Sequence, residues 1–119
     1  MILIKRVNWL EVKVIDMKNA VTFYRDLLGL KVKKEWPNYV IFDLPGTLTF
    51  AVMLGGRKGR KDGAPNIYFA VDDVDGEYER LKAKGVNFIE GPKEQYWGGY
   101  AALFADPDEN LFYLVQARD

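Results

Sequence analysis

Hydrophobic and polar residues alternate in short runs along most of the chain. Residues Ile4 to Ile15 alternate and are rich in β-branched side chains, which predicts a strand. The same reasoning predicts further strands at Leu30–Trp36, Tyr39–Leu44, Thr47–Leu54, Asn66–Val71, Val86–Ile89, Tyr100–Ala105 and Leu111–Gln116. Sheet structure therefore dominates the expected fold.

Two stretches have helical periodicity instead. Asp16 and Asp73 each come directly after a predicted strand, and a side chain of this type favours the N-cap of a helix. The two predicted helices end at Gly29 and Gly85, where glycine favours the left-handed conformation that closes many helices. We expect one helix near the start of each half of the chain.

The order of these elements repeats. Each predicted helix follows one strand and precedes three more, which indicates two βαβββ modules, residues 1–56 and 64–119, in a single domain of residues 1–119. A polar, glycine-rich linker, Gly55–Gly63, separates them. The fold class expected is α+β. We expect the two modules to pair, with helices outside and a concave, cup-like sheet surface inside.

The composition excludes several classes of function. Seventeen basic and seventeen acidic residues balance, which argues against binding nucleic acid through excess positive charge. The chain has no cysteine and no histidine, so it has no thiolate nucleophile, no Ser-His-Asp triad and no histidine-containing metal site. No apolar segment approaches the length of a membrane helix, and the N-terminus has no secretory signal features. We expect a cytoplasmic protein with no nucleic-acid or membrane partner.

Three segments resemble the signature sequences of the vicinal oxygen chelate superfamily, which includes glyoxalases, bleomycin-resistance proteins and extradiol dioxygenases. They are Asp16–Leu30 (DMKNAVTFYRDLLGL), Val71–Val86 (VDDVDGEYERLKAKGV) and Asp106–Val115 (DPDENLFYLV). The resemblance covers nearly the whole chain. It implies two βαβββ modules that form an open, cup-like mixed sheet with helices outside, and it implies a homodimer. The family usually has glycine where Glu109 stands, so we expect Asn110 to take the left-handed conformation there.

The catalytic members of this family hold a divalent metal through histidine and glutamate at four strand positions. Carried over by motif spacing, those positions fall here on Trp9, Phe50, Asn66 and Tyr113. None of them is a carboxylate or an imidazole, the donors that such metals need. The resemblance therefore implies no metal and no cofactor, and it favours the bleomycin-binding members, which hold their ligand without metal.

Strand alternation places several aromatic and polar side chains on the concave face. Trp9, Glu11 and Lys13 share one strand face, and Tyr96 and Trp97 lie in a glycine-containing loop that we expect to close over the opening. Aromatic faces suit planar or cationic ligands. The leading hypothesis is a metal-independent small-molecule binding protein for an aromatic or cationic compound. Its candidate ligand-binding residues are Trp9, Glu11, Lys13, Phe50, Asn66, Tyr68, Tyr96, Trp97 and Tyr113.

Other interpretations of the same residues stay open. The aromatic side chains also suit a filled core or a dimer interface, and for Phe50 the core is favoured. In an apolar cup Glu11 would have a raised pKa and would act as a catalytic base, whereas an ion pair with Lys13 is the alternative. A glyoxalase- or dioxygenase-like enzyme (a lyase, isomerase or oxidoreductase) using Glu11 or an atypical metal site is thus the second hypothesis, and a scaffold that acts only through protein contacts is the third.

Overall fold

The computed structural model describes residues 4–55 and 66–117. These residues form two compact units, one from each half of the chain. Each unit contains one four-stranded mixed sheet and one helical segment, and neither sheet closes into a barrel. The α+β class predicted from the sequence is confirmed. Most of the predicted linker, residues 56–63, lies outside the described residues.

The first unit builds its sheet in the order β1-β4-β3-β2. Strand β1 runs parallel to β4, and the remaining neighbours are antiparallel. Its elements are β1 (Trp9–Val14), helix α1 (Met17–Val21), a π-helix (Thr22–Leu27), β2 (Lys31–Trp36), β3 (Tyr39–Asp43) and β4 (Thr49–Leu54). The parallel pair therefore joins the first and last strands of the unit.

The second unit repeats this arrangement, with the sheet order β5-β8-β7-β6. Strand β5 again runs parallel to the last strand, β8, and the other pairs are antiparallel. Its elements are β5 (Ile67–Val71), helix α2 (Val74–Ala83), β6 (Asn87–Glu94), β7 (Tyr100–Ala105) and β8 (Leu111–Gln116). The βαβββ repeat predicted from the sequence is confirmed.

The helix ends follow the sequence closely. The carboxylates of Asp16 and Asp73 each accept a hydrogen bond of 3.1 Å from the backbone N–H three residues further on. Gly29 and Gly85 adopt φ angles of 85° and 97°, in the left-handed region. Both predicted N-caps are thus confirmed. Within the described ranges, no helix is long and apolar enough to cross a membrane.

One face of each sheet packs against its own helical segment. In the first unit, Tyr24 of the π-helix lies 5.6 Å, between ring centroids, from both Phe42 and Phe50. In the second, Phe104 and Phe112 are fully buried and stack at 5.5 Å. Burial of these rings contributes to the hydrophobic stabilisation of each unit. The opposite face of each sheet carries the half-exposed aromatic side chains.

The turn before β8 differs from the expectation. Glu109, not Asn110, takes the left-handed conformation, with a φ angle of 68°. Asn110 is held in place because both its backbone N–H and its side-chain amide donate hydrogen bonds of 2.8 Å to the carboxylate of Asp106. The strain of a positive φ therefore falls on the neighbouring residue.

Two strands also have different lengths from those predicted. Strand β1 begins at Trp9 rather than at Ile4, and β6 continues past Ile89 to Glu94. Irregular register between β6 and β7 accommodates the extra length of β6.

We expect Asp106→Ala to lower the free energy of unfolding by about 2–3 kcal/mol. The buried carboxylate also accepts the backbone N–H of Asp108 at 2.9 Å, so its removal leaves several buried donors unpaired. Urea denaturation measures the loss. Asp43→Ala, which removes an exposed carboxylate at the end of β3, is the matched control and should change stability by no more than about 0.5 kcal/mol. Equal losses in the two variants would contradict this role of Asp106.

Candidate functional site

The exposed face of the first sheet carries a row of three aromatic side chains. Trp9 is 47 % exposed, and its Nε1 donates a hydrogen bond of 2.8 Å to the hydroxyl of Tyr39. The ring of Trp36 lies 5.9 Å from the same tyrosine, on the adjacent strand. We call Trp9, Tyr39 and Trp36 the first aromatic row. Glu11 and Lys13 are exposed on the same strand, as alternation along β1 predicted.

The charged groups beside this row neutralise one another. Lys13 Nζ lies 2.9 Å from Glu11 Oε2 and 3.0 Å from Met53 Sδ. The hydrogen bond from Lys13 lowers the pKa of Glu11, and so does a hydrogen bond from Tyr39. Together they outweigh burial, which raises this pKa. Of the two interpretations of Glu11, the structure therefore has the ion pair with Lys13 and not the raised pKa. The carboxylate is an ion-paired acceptor, which is a poor starting point for a catalytic base at neutral pH.

Phe50 lies on the other face of the sheet. Its side chain is 1 % exposed, and its ring packs against Tyr24 and against Phe42 at 6.2 Å. It is a core residue and does not contact the exposed face. The structure thus takes Phe50 out of the predicted ligand-binding set.

The strand register explains why Phe50 lies in the core and not on the exposed face. Across the parallel pair of the first unit, Glu11 faces Ala51. Across the equivalent pair of the second unit, Tyr68 faces Tyr113. The repeat partner of Tyr113 is therefore Ala51, one residue further along than motif spacing suggested. A shift of one residue moves a side chain to the opposite face of a strand.

The second unit carries a tighter aromatic cluster. The rings of Tyr68 and Tyr113 stack at 4.9 Å with an interplanar angle of 9°. The indole of Trp97 stands nearly perpendicular to both, at 5.6 Å from Tyr68 and 6.3 Å from Tyr113. We call these three residues the aromatic corner. Tyr68 is 44 % and Trp97 41 % exposed, so the corner is an accessible surface.

Two further predicted residues of this unit, Asn66 and Tyr96, do not belong to the aromatic corner. Asn66 is exposed and comes one residue before β5. Tyr96 is fully exposed, so it does not cover the cluster as expected for a lid. It lies at the tip of the hairpin between β6 and β7, where consecutive side chains diverge: Tyr96 points to solvent, and Trp97 packs inward. Of the two predicted loop aromatics, Trp97 alone joins the corner.

The phenols of Tyr113 and Tyr39 stay protonated at neutral pH. Burial is the main cause that raises the pKa of Tyr113, and the negative charge of Glu90 raises it further. Burial likewise raises the pKa of Tyr39. Glu90 is itself paired with Lys93 at 3.2 Å on β6. The corner therefore presents neutral rings beside a neutralised ion pair.

The positions that hold metal in the catalytic relatives do not suit one here. With the register corrected, they are Trp9 and Ala51 in the first unit and Asn66 and Tyr113 in the second. These side chains include no carboxylate, imidazole or thiolate. Across residues 4–55 and 66–117, no three Asp or Glu side chains gather closely enough to hold a metal ion.

Sequence reasoning missed Tyr39, which links the first aromatic row to Glu11. Its neighbours Val40 and Phe42 alternate with it along β3, and both are buried against the helical segment. The same alternation that placed Trp9 on the exposed face would have placed Tyr39 there. Its contact with Trp9, across an intervening strand, had no signal in the sequence.

The sequence model of the Glyoxalase/Bleomycin resistance protein/Dioxygenase superfamily matches residues 6–114. The chain belongs to this superfamily, as the resemblance of its three signature segments implied.

Individual relatives are similar over nearly their whole length. The uncharacterized protein YraH of Bacillus subtilis is 33% identical over 115 residues, which cover 85% of this chain and 90% of YraH. A crystal structure of a superfamily member from Sphaerobacter thermophilus is 30% identical, covers 98% of this chain and 100% of its own, and superposes with a TM-score of 0.78. TnmS3, an antibiotic binding protein from Streptomyces, is 26% identical with a TM-score of 0.76, covering 99% of this chain and 100% of its own.

We expect the Glu11 carboxyl to titrate below the ordinary glutamate range, because Lys13 and Tyr39 stabilise its charged form. Carbon-detected NMR of the side-chain carboxyl measures the midpoint. Lys13→Met should move the midpoint upward. A midpoint above the ordinary range in the unmodified protein would contradict the ion pair.

The pH dependence of stability has a defined sign. Because folding lowers the pKa of Glu11, the stabilisation by this pair is complete above the pKa of the unfolded chain. It is lost as the pH falls through the lowered pKa of the folded state. Lys13→Met should therefore flatten that part of the stability profile.

Proposed function

We propose that this chain is a metal-independent small-molecule binding protein of the bleomycin-resistance type. It would take an aromatic or cationic compound on the exposed aromatic surfaces of its sheets. The observation that carries the proposal is the aromatic corner, where Trp97 stands against the stacked pair Tyr68 and Tyr113 on an accessible sheet face. Large rings held in fixed geometry at a surface are typical of ligand sites.

The chemistry of the side chains supports binding over catalysis. Burial raises the pKa of Tyr39 and of Tyr113, and the carboxylates that act on these two phenols, Glu11 and Glu90, are each paired with a lysine. Such groups offer stacking, apolar contact and hydrogen bonds. Among residues 4–55 and 66–117, no cluster of Asp or Glu side chains could hold a metal ion at either surface. The likeness to TnmS3, an antibiotic binding protein, is a second line of support.

The enzymatic alternative depends on Glu11. An enzyme of the lyase, isomerase or oxidoreductase kind would need this carboxylate as a base or an atypical metal site. The lowered pKa of Glu11 and its contact with Lys13 both favour the charged, paired form. We therefore place this alternative second. Turnover that fails in a Glu11→Gln variant would reverse the order.

We further propose that the protein forms a homodimer, on the basis of the family resemblance, and that it is cytoplasmic, as expected from its sequence. Sedimentation velocity at micromolar concentration is the direct measurement for the assembly. A monomer at all concentrations would contradict it.

Alanine at Tyr113 should weaken binding of a flat aromatic probe by about tenfold, since a lost aromatic contact is worth roughly 1–1.5 kcal/mol. Trp9→Ala should have a similar effect on any ligand that contacts the first aromatic row. Isothermal titration calorimetry with acridine measures both affinities. Leu54→Ala, which removes an exposed apolar side chain on the same strand face as the core residues Phe50 and Val52, is the control and should leave affinity unchanged. Unchanged affinity in both aromatic variants would contradict the site assignment.

A further inference from the structure

We propose that Trp97 restricts the aromatic corner to flat aromatic rings, whatever their charge, and that Gly99 is the positioning residue that holds Trp97 there. This inference rests on the proposed binding function and narrows its ligand class. It follows from the position of the indole, the space at Gly99, the free face of Tyr68 and the charges nearby.

Trp97 lies beside the tyrosine stack rather than on top of it. If the indole were stacked on the end of the pair, its centroid would be about twice as far from one tyrosine ring as from the other. Its centroid instead lies at comparable distances, 5.6 and 6.3 Å, from the two rings. Its plane is turned by 87° and 84° from theirs. Trp97 therefore forms a side wall and leaves the ends of the stack open.

The open end of the stack is the outer face of Tyr68. Tyr113 covers the other face of this ring, and Tyr68 remains 44 % exposed. Tyr68 lies on β5, the edge strand of its sheet, with no strand of its own unit beyond it. A third ring placed there would continue the stack. It would also meet the Trp97 wall in the perpendicular geometry that the two tyrosines already have.

This arrangement favours ligands whose rings lie in one plane. A planar ring approaches Tyr68 at stacking distance along its whole area. A compound whose rings are twisted out of one plane would place an edge against Trp97 and would lose the stacked contact. The wall therefore acts as a shape filter as long as Trp97 stays where it is.

Gly99 is what allows Trp97 to stay there. A Cβ atom built at Gly99 would overlap the six-membered ring of Trp97. The φ angle of Gly99 lies outside the left-handed region, so the backbone itself would accept alanine. The three atoms nearest to such a Cβ all belong to the indole, so an added methyl group would displace that ring from its present position against the tyrosines.

The hairpin around Gly99 is fixed by its own hydrogen bonds. Gln95 N–H donates to the carbonyl of Gly99 at 2.8 Å, and Gly98 N–H donates to the carbonyl of Gln95 at 2.9 Å. Gly98 takes a φ angle of 96°, as a short hairpin loop often requires. The Gln95 side chain adds a hydrogen bond of 3.3 Å to the carbonyl of Ala101. The backbone is therefore well placed to define the position of Trp97.

Charge contributes little to the choice of ligand. Glu90 is the carboxylate that acts on Tyr113, and it is paired with Lys93, which has the opposite effect on that phenol. A ligand at the corner meets neutral rings beside a balanced pair. A cationic ring gains only the weak cation–π attraction of a half-exposed site, about threefold in affinity, so it should bind almost as a neutral ring of the same shape does. This narrows the ligand class from aromatic or cationic compounds to flat aromatic ones.

The position of Trp97 is tested first without any ligand. In a background of Trp9→Phe and Trp36→Phe, Trp97 is the single tryptophan, and its emission and acrylamide quenching report its surroundings. Gly99→Ala should shift the emission to the red and increase quenching. Gly91→Ala is the matched control, because a Cβ there meets Tyr78 at an ordinary 3.5 Å. An unchanged Trp97 signal in Gly99→Ala would overturn the positioning role.

Ligand choice is then tested with three probes by calorimetry. Acridine, in its neutral form, and N-methylacridinium share a flat shape and differ in charge, whereas tetraphenylphosphonium is a non-planar cation. The two flat probes should bind within about threefold of each other and at least about tenfold more tightly than the third. In Gly99→Ala and Trp97→Leu that preference should fall to within about threefold, whereas Gly91→Ala should keep it.

The outcomes separate this inference from the proposed function. A flat-ring preference that survives in Gly99→Ala and Trp97→Leu would overturn the inference and leave small-molecule binding standing. Tight binding of both cations over neutral acridine would overturn the charge independence. Binding of none of the probes would count against the inference and the proposed function together.

Discussion

The parallel pairing of the first and last strands in each unit is the constraint on which the candidate site depends. In the second unit it sets Tyr68 directly opposite Tyr113, at the distance where two rings stack. Because side chains alternate along a strand, the same pairing fixes which residues face the helical segment. The strand register therefore determines both which residues form the core and which form the candidate site. A slip of one residue would bury the tyrosines and expose the phenylalanines.

The two units have the same strand arrangement but carry different side chains on their exposed faces. The first places Glu11 opposite Ala51 and fills the space with an ion pair and a hydrogen-bonded indole. The second places two phenols opposite each other and adds Trp97 from a hairpin whose glycine leaves room for it. In neither unit do the strand positions supply metal donors. Two of these positions, Trp9 and Tyr113, instead carry rings that stack on a neighbouring tyrosine.

Much of the fold could be predicted because its signals are local. Caps at Asp16 and Asp73 depend on residues within one turn, and strand alternation depends on neighbours in sequence. The site needed non-local information. Motif spacing misplaced Phe50 by one residue because it matched Asp43, the last residue of β3, with Asp106, the first residue after β7. For Glu11 the sequence left two interpretations open, a raised pKa through burial or an ion pair with Lys13, and it cannot rank those two effects; in the structure the ion pair outweighs burial.

Metal content tests the central claim most directly. The protein would be purified without a histidine tag, incubated with zinc, nickel, manganese and iron, and then desalted. We expect elemental mass spectrometry to find no stoichiometric metal in it. The chain lacks histidine and cysteine, and the strand positions carry tryptophan, alanine, asparagine and tyrosine. Metal near one equivalent per chain, or one per dimer, would contradict the account and would make an enzyme the better interpretation.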